Sequence, residues 1–263
     1  MKKSNMKKAL QILNGIAFVS TVFINYLSNT GAMNNRTIGS LSDSIRSLFT
    51  PAGYAFSIWG LIYLFLFGFV IYQGRSLFLK VKNDDFVEKV GFWFIISCVA
   101  NSAWVFAWIY EYTGISCIFI FLLLASILKI IINNKMQIQA VKTSKLLLIS
   151  LPFVIYGGWV TVASVANVSS YLVKINWEGF GVSAEIWTII MIVIATLINL
   201  MMLSKRKLYA FALAGAWALT AIGVANKENY STVSTVALGA AVLLVLATLI
   251  IKIKNSTSKN TST

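Results

Sequence analysis

Five clusters of basic residues punctuate this chain, one on every second connection between its apolar runs. Lys2, Lys3, Lys7 and Lys8 precede the first run, and Arg75, Lys80, Lys82 and Lys89 follow the second. Lys129, Lys135, Lys142 and Lys145 follow the fourth, Lys205, Arg206 and Lys207 the sixth, and Lys252, Lys254 and Lys259 the eighth. These clusters hold 18 of the 22 Lys and Arg residues, while the other connections carry only Arg36, Arg46, Lys174 and Lys227. Cytoplasmic loops of helical membrane proteins carry such an excess. The pattern therefore predicts a multi-pass chain with both termini in the cytoplasm. It also supports the span count, because a missed span would break the alternation.

The apolar runs are near the ~20 residues that cross a ~30 Å hydrocarbon core. Eight are expected, at about residues 8–28, 53–73, 88–110, 113–133, 146–170, 180–203, 207–225 and 229–251. The seventh, rich in Ala and Gly, is the weakest. Charged residues make up 11% of the chain, against roughly 25% in soluble proteins. The runs lack the two-residue alternation of barrel strands, and helices satisfy their own backbone groups in lipid. The expected fold is all-α, a polytopic helical protein of the cell (inner) membrane. The first run is longer than a signal-peptide core and lacks an A-x-A site, so it is expected to stay as a transmembrane helix. The net charge of +14 sets topology and attracts anionic lipid heads; no nucleic-acid partner is expected.

Most connections are short. Residues 29–52 are the exception, with Asn34, Asn35, Thr37, Ser40, Asp43 and Ser47 among them. A binding loop and a solvated connector are both open there. The turn at Tyr112–Thr113–Gly114 predicts an antiparallel hairpin of spans three and four. The tail "KNSTSKNTST" is polar and expected to be disordered. A short echo links "WVTVASVAN" (Trp159 to Asn167) with "WALTAIGVAN" (Trp217 to Asn226).

Polar chemistry is sparse. The chain has no His, the residue that titrates most readily near neutral pH. Cys98 and Cys117 fall inside spans and read as small apolar residues. Glu111 and Glu185 lie at external span ends, and Asp84, Asp85 and Glu88 in an internal loop. No buried carboxylate pair, nucleophile–base pair or metal cluster is visible, which argues against a proton-coupled transporter or a hydrolase. No catalytic residue, metal or required cofactor is expected.

Aromatic and amide residues at helical spacing remain. Trp59 and Tyr63 are four apart; Asn101, Trp104 and Trp108 form one stripe; Tyr156, Trp159, Ala163 and Asn167 form another. Trp93, Trp108, Trp177, Trp187 and Tyr54 lie near span ends and read as interfacial anchors. Asn101 and Asn167 fit two roles, tying helices together or touching a ligand in an apolar pocket.

These residues resemble the tryptophan-rich sensory protein / translocator protein (TspO/MBR) family. "PAGYAFSIWGLIY" carries Pro51, Tyr54, Phe56, Trp59 and Tyr63 where that family has P-x-W-x-F…W-x-x-x-Y on its second span. Asn101 and Trp104 match its N-x-x-W on the third span. Trp159, Ala163 and Asn167, with Pro152 upstream, match its W-x-x-x-A-x-x-x-N on the fifth. The resemblance covers about residues 8–170. There are departures. Tyr54 stands where a Trp is usual. The step from Phe56 to Trp59 is one residue short and lacks a Pro. Pro152 lies three residues further from Trp159, which leaves Tyr156 where a Trp would fall.

The resemblance implies a five-helix core over residues 1–175, three additional spans over 176–253 and a tail over 254–263. It implies an apolar pocket beneath the first external loop that takes a hydrophobic planar small molecule, a porphyrin or related tetrapyrrole, with sterols bound by some members. Its lining would include Pro51, Tyr54, Phe56, Trp59, Tyr63, Asn101, Trp104, Tyr156, Trp159, Ala163 and Asn167. Arg36 or Arg46 would meet propionate carboxylates by charge-assisted hydrogen bonds. With no His as an axial ligand, a metal-free or weakly ligated tetrapyrrole fits best. A receptor or carrier is the leading expectation, with a homodimer left open. A light-dependent porphyrin-degrading enzyme is a second reading. A small-solute transporter using all eight helices is a third; broken helices would favour it, and "YGGW" in span five is the one hint of a break.

Overall fold

The computed structural model describes residues 2–81, 85–136 and 143–260, and every regular element among them is helical. Lys82, Asp84 and Lys142, named above as loop charges, lie outside the described residues. The elements are α1 (Lys2–Asn29), α2 (Ile38–Ser44), α3 (Ile58–Gly74), α4 (Phe86–Val90), α5 (Trp93–Ile109) and α6 (Thr113–Asn133), then α7 (Thr143–Lys145), α8 (Leu151–Lys174), α9 (Ala184–Arg206), α10 (Tyr209–Ala225) and α11 (Ser231–Asn260). Among the described residues, six helices are long and apolar enough to cross a membrane, and α5 and α10 are shorter apolar helices of 17 residues each. The protein is a polytopic helical membrane protein. Its outward side chains agree: Leu64 and Ile118 are each 66% exposed, while Asn14, Gln73 and Asn101 are buried. Lipid accepts Leu and Ile, whereas an amide needs a partner inside the protein.

Three expected boundaries shift. The span expected from residue 88 starts at Trp93 instead. Gly91, with φ +54°, separates α4 from α5; a Cβ there would be strained. Residues 29–52 hold α2 rather than a bare connector, with Leu41 fully buried. The last helix runs to Asn260, into the tail expected to be disordered, and residues 261–263 lie outside the described residues.

Contacts group the chain into two compact units: residues 1–44 with 57–153, and residues 45–56 with 154–263. In the first unit, α5 and α6 form the expected hairpin through Glu111 in the left-handed region (φ +61°) and Tyr112, whose N–H bonds Ala107 O. Phe69, Phe94 and Phe153 meet edge to face, with centroids 4.8–5.8 Å apart. A π-helical turn, Leu146–Ser150, precedes α8. It ends two residues before Pro152, which has no N–H to give a regular helix. α8 itself is unbroken through Gly157 and Gly158, so the hint of a break at "YGGW" is not realised.

In the second unit, α10 packs against α8, α9 and α11 through small residues. A Cβ at Gly158 would sit 2.9 Å from Phe211 Cα, and one at Gly223 would sit 2.7 Å from Leu238 Cγ. Gly215 faces the buried amide of Asn199. Close approach at Gly and Ala is how helices associate in lipid, where apolar side chains gain little by leaving the solvent. The Ala-Gly composition of the seventh run is thus its packing surface.

Candidate functional site

The first unit brings four aromatic rings into one ladder. Tyr63 stacks on Trp59 at 5.6 Å with planes 23° apart. Trp59 stacks on Trp104 at 6.2 Å and 29°, and Trp104 on Trp108 at 6.0 Å and 20°. The i, i+4 spacing on α3 and on α5 sets the two ends, and the meeting of α3 with α5 joins them. Trp104 and Trp108 are buried, while Trp59 and Tyr63 are half-buried. Such offset stacks add to the burial of the rings themselves.

Trp108 therefore corrects its expected role. It is 4% exposed, and its indole N–H donates to Ile38 O of α2 at 3.3 Å. It closes the ladder beneath the loop that holds α2 and is not an interfacial anchor.

Beside the ladder, Asn101 is buried and accepts a hydrogen bond from Asn25 Nδ2 at 2.7 Å. Asn25 also donates to Thr21 O at 2.9 Å. Asn101 thus ties α5 to α1, and the Tyr63 hydroxyl is buried next to it. Asn25 was not singled out from the sequence, although an Asn inside an apolar run is a signal that could have found it.

The loop cations have structural partners. Arg36 pairs with Glu111 at 2.8 Å, and Asn34 Nδ2 donates to Ile109 O at 2.9 Å at the end of α5. Both pin the first loop to the α5–α6 turn.

In the second unit, residues 45–56 lie along α10 as a strap. Arg46 donates to Ala225 O, Asn226 Nδ2 to Leu48 O at 2.8 Å, and Ala52 N to Ala221 O at 3.1 Å. A cation at a helix C-terminus satisfies open carbonyls and the dipole together. Pro51 is buried within this strap. Tyr54 meets Trp217 edge on at 5.3 Å and 79°, and Trp217 Nε1 donates to Ala55 O at 3.2 Å. Phe56 meets Trp159 edge on at 6.2 Å and 81°. The two tryptophans of the sequence echo, Trp159 and Trp217, therefore hold neighbouring residues of one strap. Trp217 was missed as a site residue because it lies beyond the motif region.

Tyr156, Trp159 and Asn167 are buried on α8, and Ala163 is half-buried. The span Thr143–Lys174, which contains α8, is the most buried of the six long ones. Trp187 is different: it packs on Trp177 at 5.3 Å and donates to Gly179 O at 2.8 Å. That is a loop anchor. The expected residues thus fall into two groups. Trp59, Tyr63, Asn101 and Trp104 come together in the first unit. Pro51, Tyr54, Phe56, Tyr156, Trp159, Ala163 and Asn167 belong to the second.

The family described as TSPO-like protein matches residues 11–250. That match covers most of the chain, and the chain belongs to this family. The match runs through α9, α10 and most of α11, well beyond residues 8–170, where the motifs lie. No curated protein and no solved structure matches the chain.

Proposed function

We propose that the protein is a membrane receptor or carrier for a hydrophobic planar ligand of the porphyrin and tetrapyrrole class. The observation that carries this reading is the Tyr63–Trp59–Trp104–Trp108 ladder, half-buried at its Trp59 and Tyr63 end. Flat aromatic faces stack on a flat macrocycle. A buried amide pair, Asn25 and Asn101, supplies the few polar groups that orient a ligand in an apolar pocket. Phe56 and Trp159 offer a second aromatic surface in the other unit.

The loop cations enter differently from the sequence expectation. Arg36 and Arg46 each have a structural partner, so a propionate would have to compete with Glu111 or with the end of α10. Eight spans with cytoplasmic termini in the inner membrane remain part of the proposal, resting on the basic clusters.

Titration of purified protein with protoporphyrin and a sterol, read by tryptophan quenching, tests the ligand class. Saturable quenching by protoporphyrin at a stoichiometry near one supports the proposal; linear quenching without saturation contradicts it. Product analysis after illumination separates binding from degradation, since a carrier returns the porphyrin intact.

A further inference from the structure

A second site lies far along α1 and α3 from the aromatic ladder. At the basic end of both helices, Lys7, Lys8, Gln11, Ser76, Leu79 and Lys80 line a cavity of about 370 Å³. We propose that this cavity binds the phosphate head group of an anionic phospholipid.

The floor of the cavity is built, not incidental. Gln11 is 3% exposed, and its Nε2 donates to Gln73 O and to Ser76 Oγ, the latter at 2.7 Å. Gln73 Nε2 donates back to Gln11 O at 3.1 Å, and Asn14 Nδ2 donates to Gln73 Oε1 at 2.9 Å. This network fixes the end of α3 against α1 and presents Ser76 to the cavity. Lys8 and Lys80 line the cavity together with Ser76 and Lys7, a donor-rich set suited to a phosphate.

Depth and rim select a lipid. The cavity sits where the apolar run of α1 begins, after Lys8, and where that of α3 ends, at Gly74. Two large apolar side chains stand out beside it, Phe78 at 88% and Leu79 at 66% exposure. A soluble phosphate gains nothing from them, whereas a lipid's glycerol and upper acyl chain would cover them. Basic pockets between helices at a membrane surface are built to hold anionic head groups.

The test uses the full-length protein in nanodiscs. Binding of phosphatidylglycerol, competed against phosphatidylcholine, is measured for the wild type, for K8Q/K80Q, for K8R/K80R and for K205Q/K207Q. Each variant is first shown to be folded by its melting curve in phosphatidylcholine alone. The expected result is a loss on the order of tenfold or more in K8Q/K80Q, from about 1 kcal/mol per basic residue at the surface and 1.4 kcal/mol per tenfold. K8R/K80R and K205Q/K207Q should keep the wild-type preference. Equal losses in K8Q/K80Q and K205Q/K207Q would overturn the site in favour of general surface charge. Unchanged binding in K8Q/K80Q would overturn it outright. Full competition by millimolar inorganic phosphate would overturn the lipid assignment.

Discussion

Trp59 of α3 and Trp104 of α5 lie nearly parallel, with ring centroids 6.2 Å apart and planes 29° apart. Each stacks on a partner of its own helix, Tyr63 and Trp108 respectively. This single contact turns two short stripes into one aromatic surface and places it beside the buried Asn25–Asn101 pair.

That amide pair should act first on stability. Asn101→Leu removes one of the two acceptors of Asn25 Nδ2 in a buried site and leaves the bond to Thr21 O, which costs about 1–3 kcal/mol. Asn25→Leu should do likewise. The double variant should recover part of the loss, because both amides are then gone. Thermal melts of the four proteins in detergent give the coupling energy, expected near 0.6–1.7 kcal/mol, as for interhelical bonds elsewhere in membranes. Strict additivity would show that the pair does not hold α1 to α5.

Close helix approach gives the second prediction. Gly158→Ala places a methyl group against the Phe211 backbone, where neither side can yield without moving a helix. A cost of about 1–3 kcal/mol is expected, as for overpacking elsewhere. Gly60→Ala is the control, since nothing lies within 4 Å of its added Cβ. It should be neutral or stabilising, because Ala is the better helix former. Equal melting temperatures for the two would remove α8–α10 packing as a constraint.

Topology is the third. Single cysteines at positions 205 and 46 on a Cys-free background should differ. Position 205 should be protected from an impermeant reagent in intact cells, and position 46 should label once Arg46 is replaced. Labelling of 205 from outside would contradict the cytoplasmic assignment of the basic clusters.

Most of the helices were legible because lipid demands long apolar runs, and α1, α3, α6, α8, α9 and α11 supply them. What was not legible depends on contacts between segments distant in sequence. Trp108 sits where interfacial anchors sit, and only its stacking on Trp104 and its bond to Ile38 O separate it from them. Arg46 reads as an exposed loop cation, yet the carbonyl it meets lies on Ala225, 179 residues away. The break before α5 follows from one glycine, Gly91, whose positive φ an apolar window cannot register. The Ala-Gly run of α10 falls short of the long spans by length, at 17 residues, and its value lies in what it lets approach, Gly215 against Asn199 and Gly223 against Leu238.

The most direct measurement is protoporphyrin affinity in Trp59→Ala against Trp187→Ala, each first shown folded by gel filtration and melting. Trp59 is half-buried in the ladder, and Trp187 anchors a loop through Gly179. Ring stacking is worth about 1–3 kcal/mol per contact in nucleic-acid binding, so Trp59→Ala should weaken affinity roughly tenfold or more, at 1.4 kcal/mol per tenfold. Trp187→Ala should leave affinity within about twofold, a change of under 0.5 kcal/mol. Wild-type affinity in a folded Trp59→Ala protein, or an equal loss in both variants, would contradict a ligand site on the ladder.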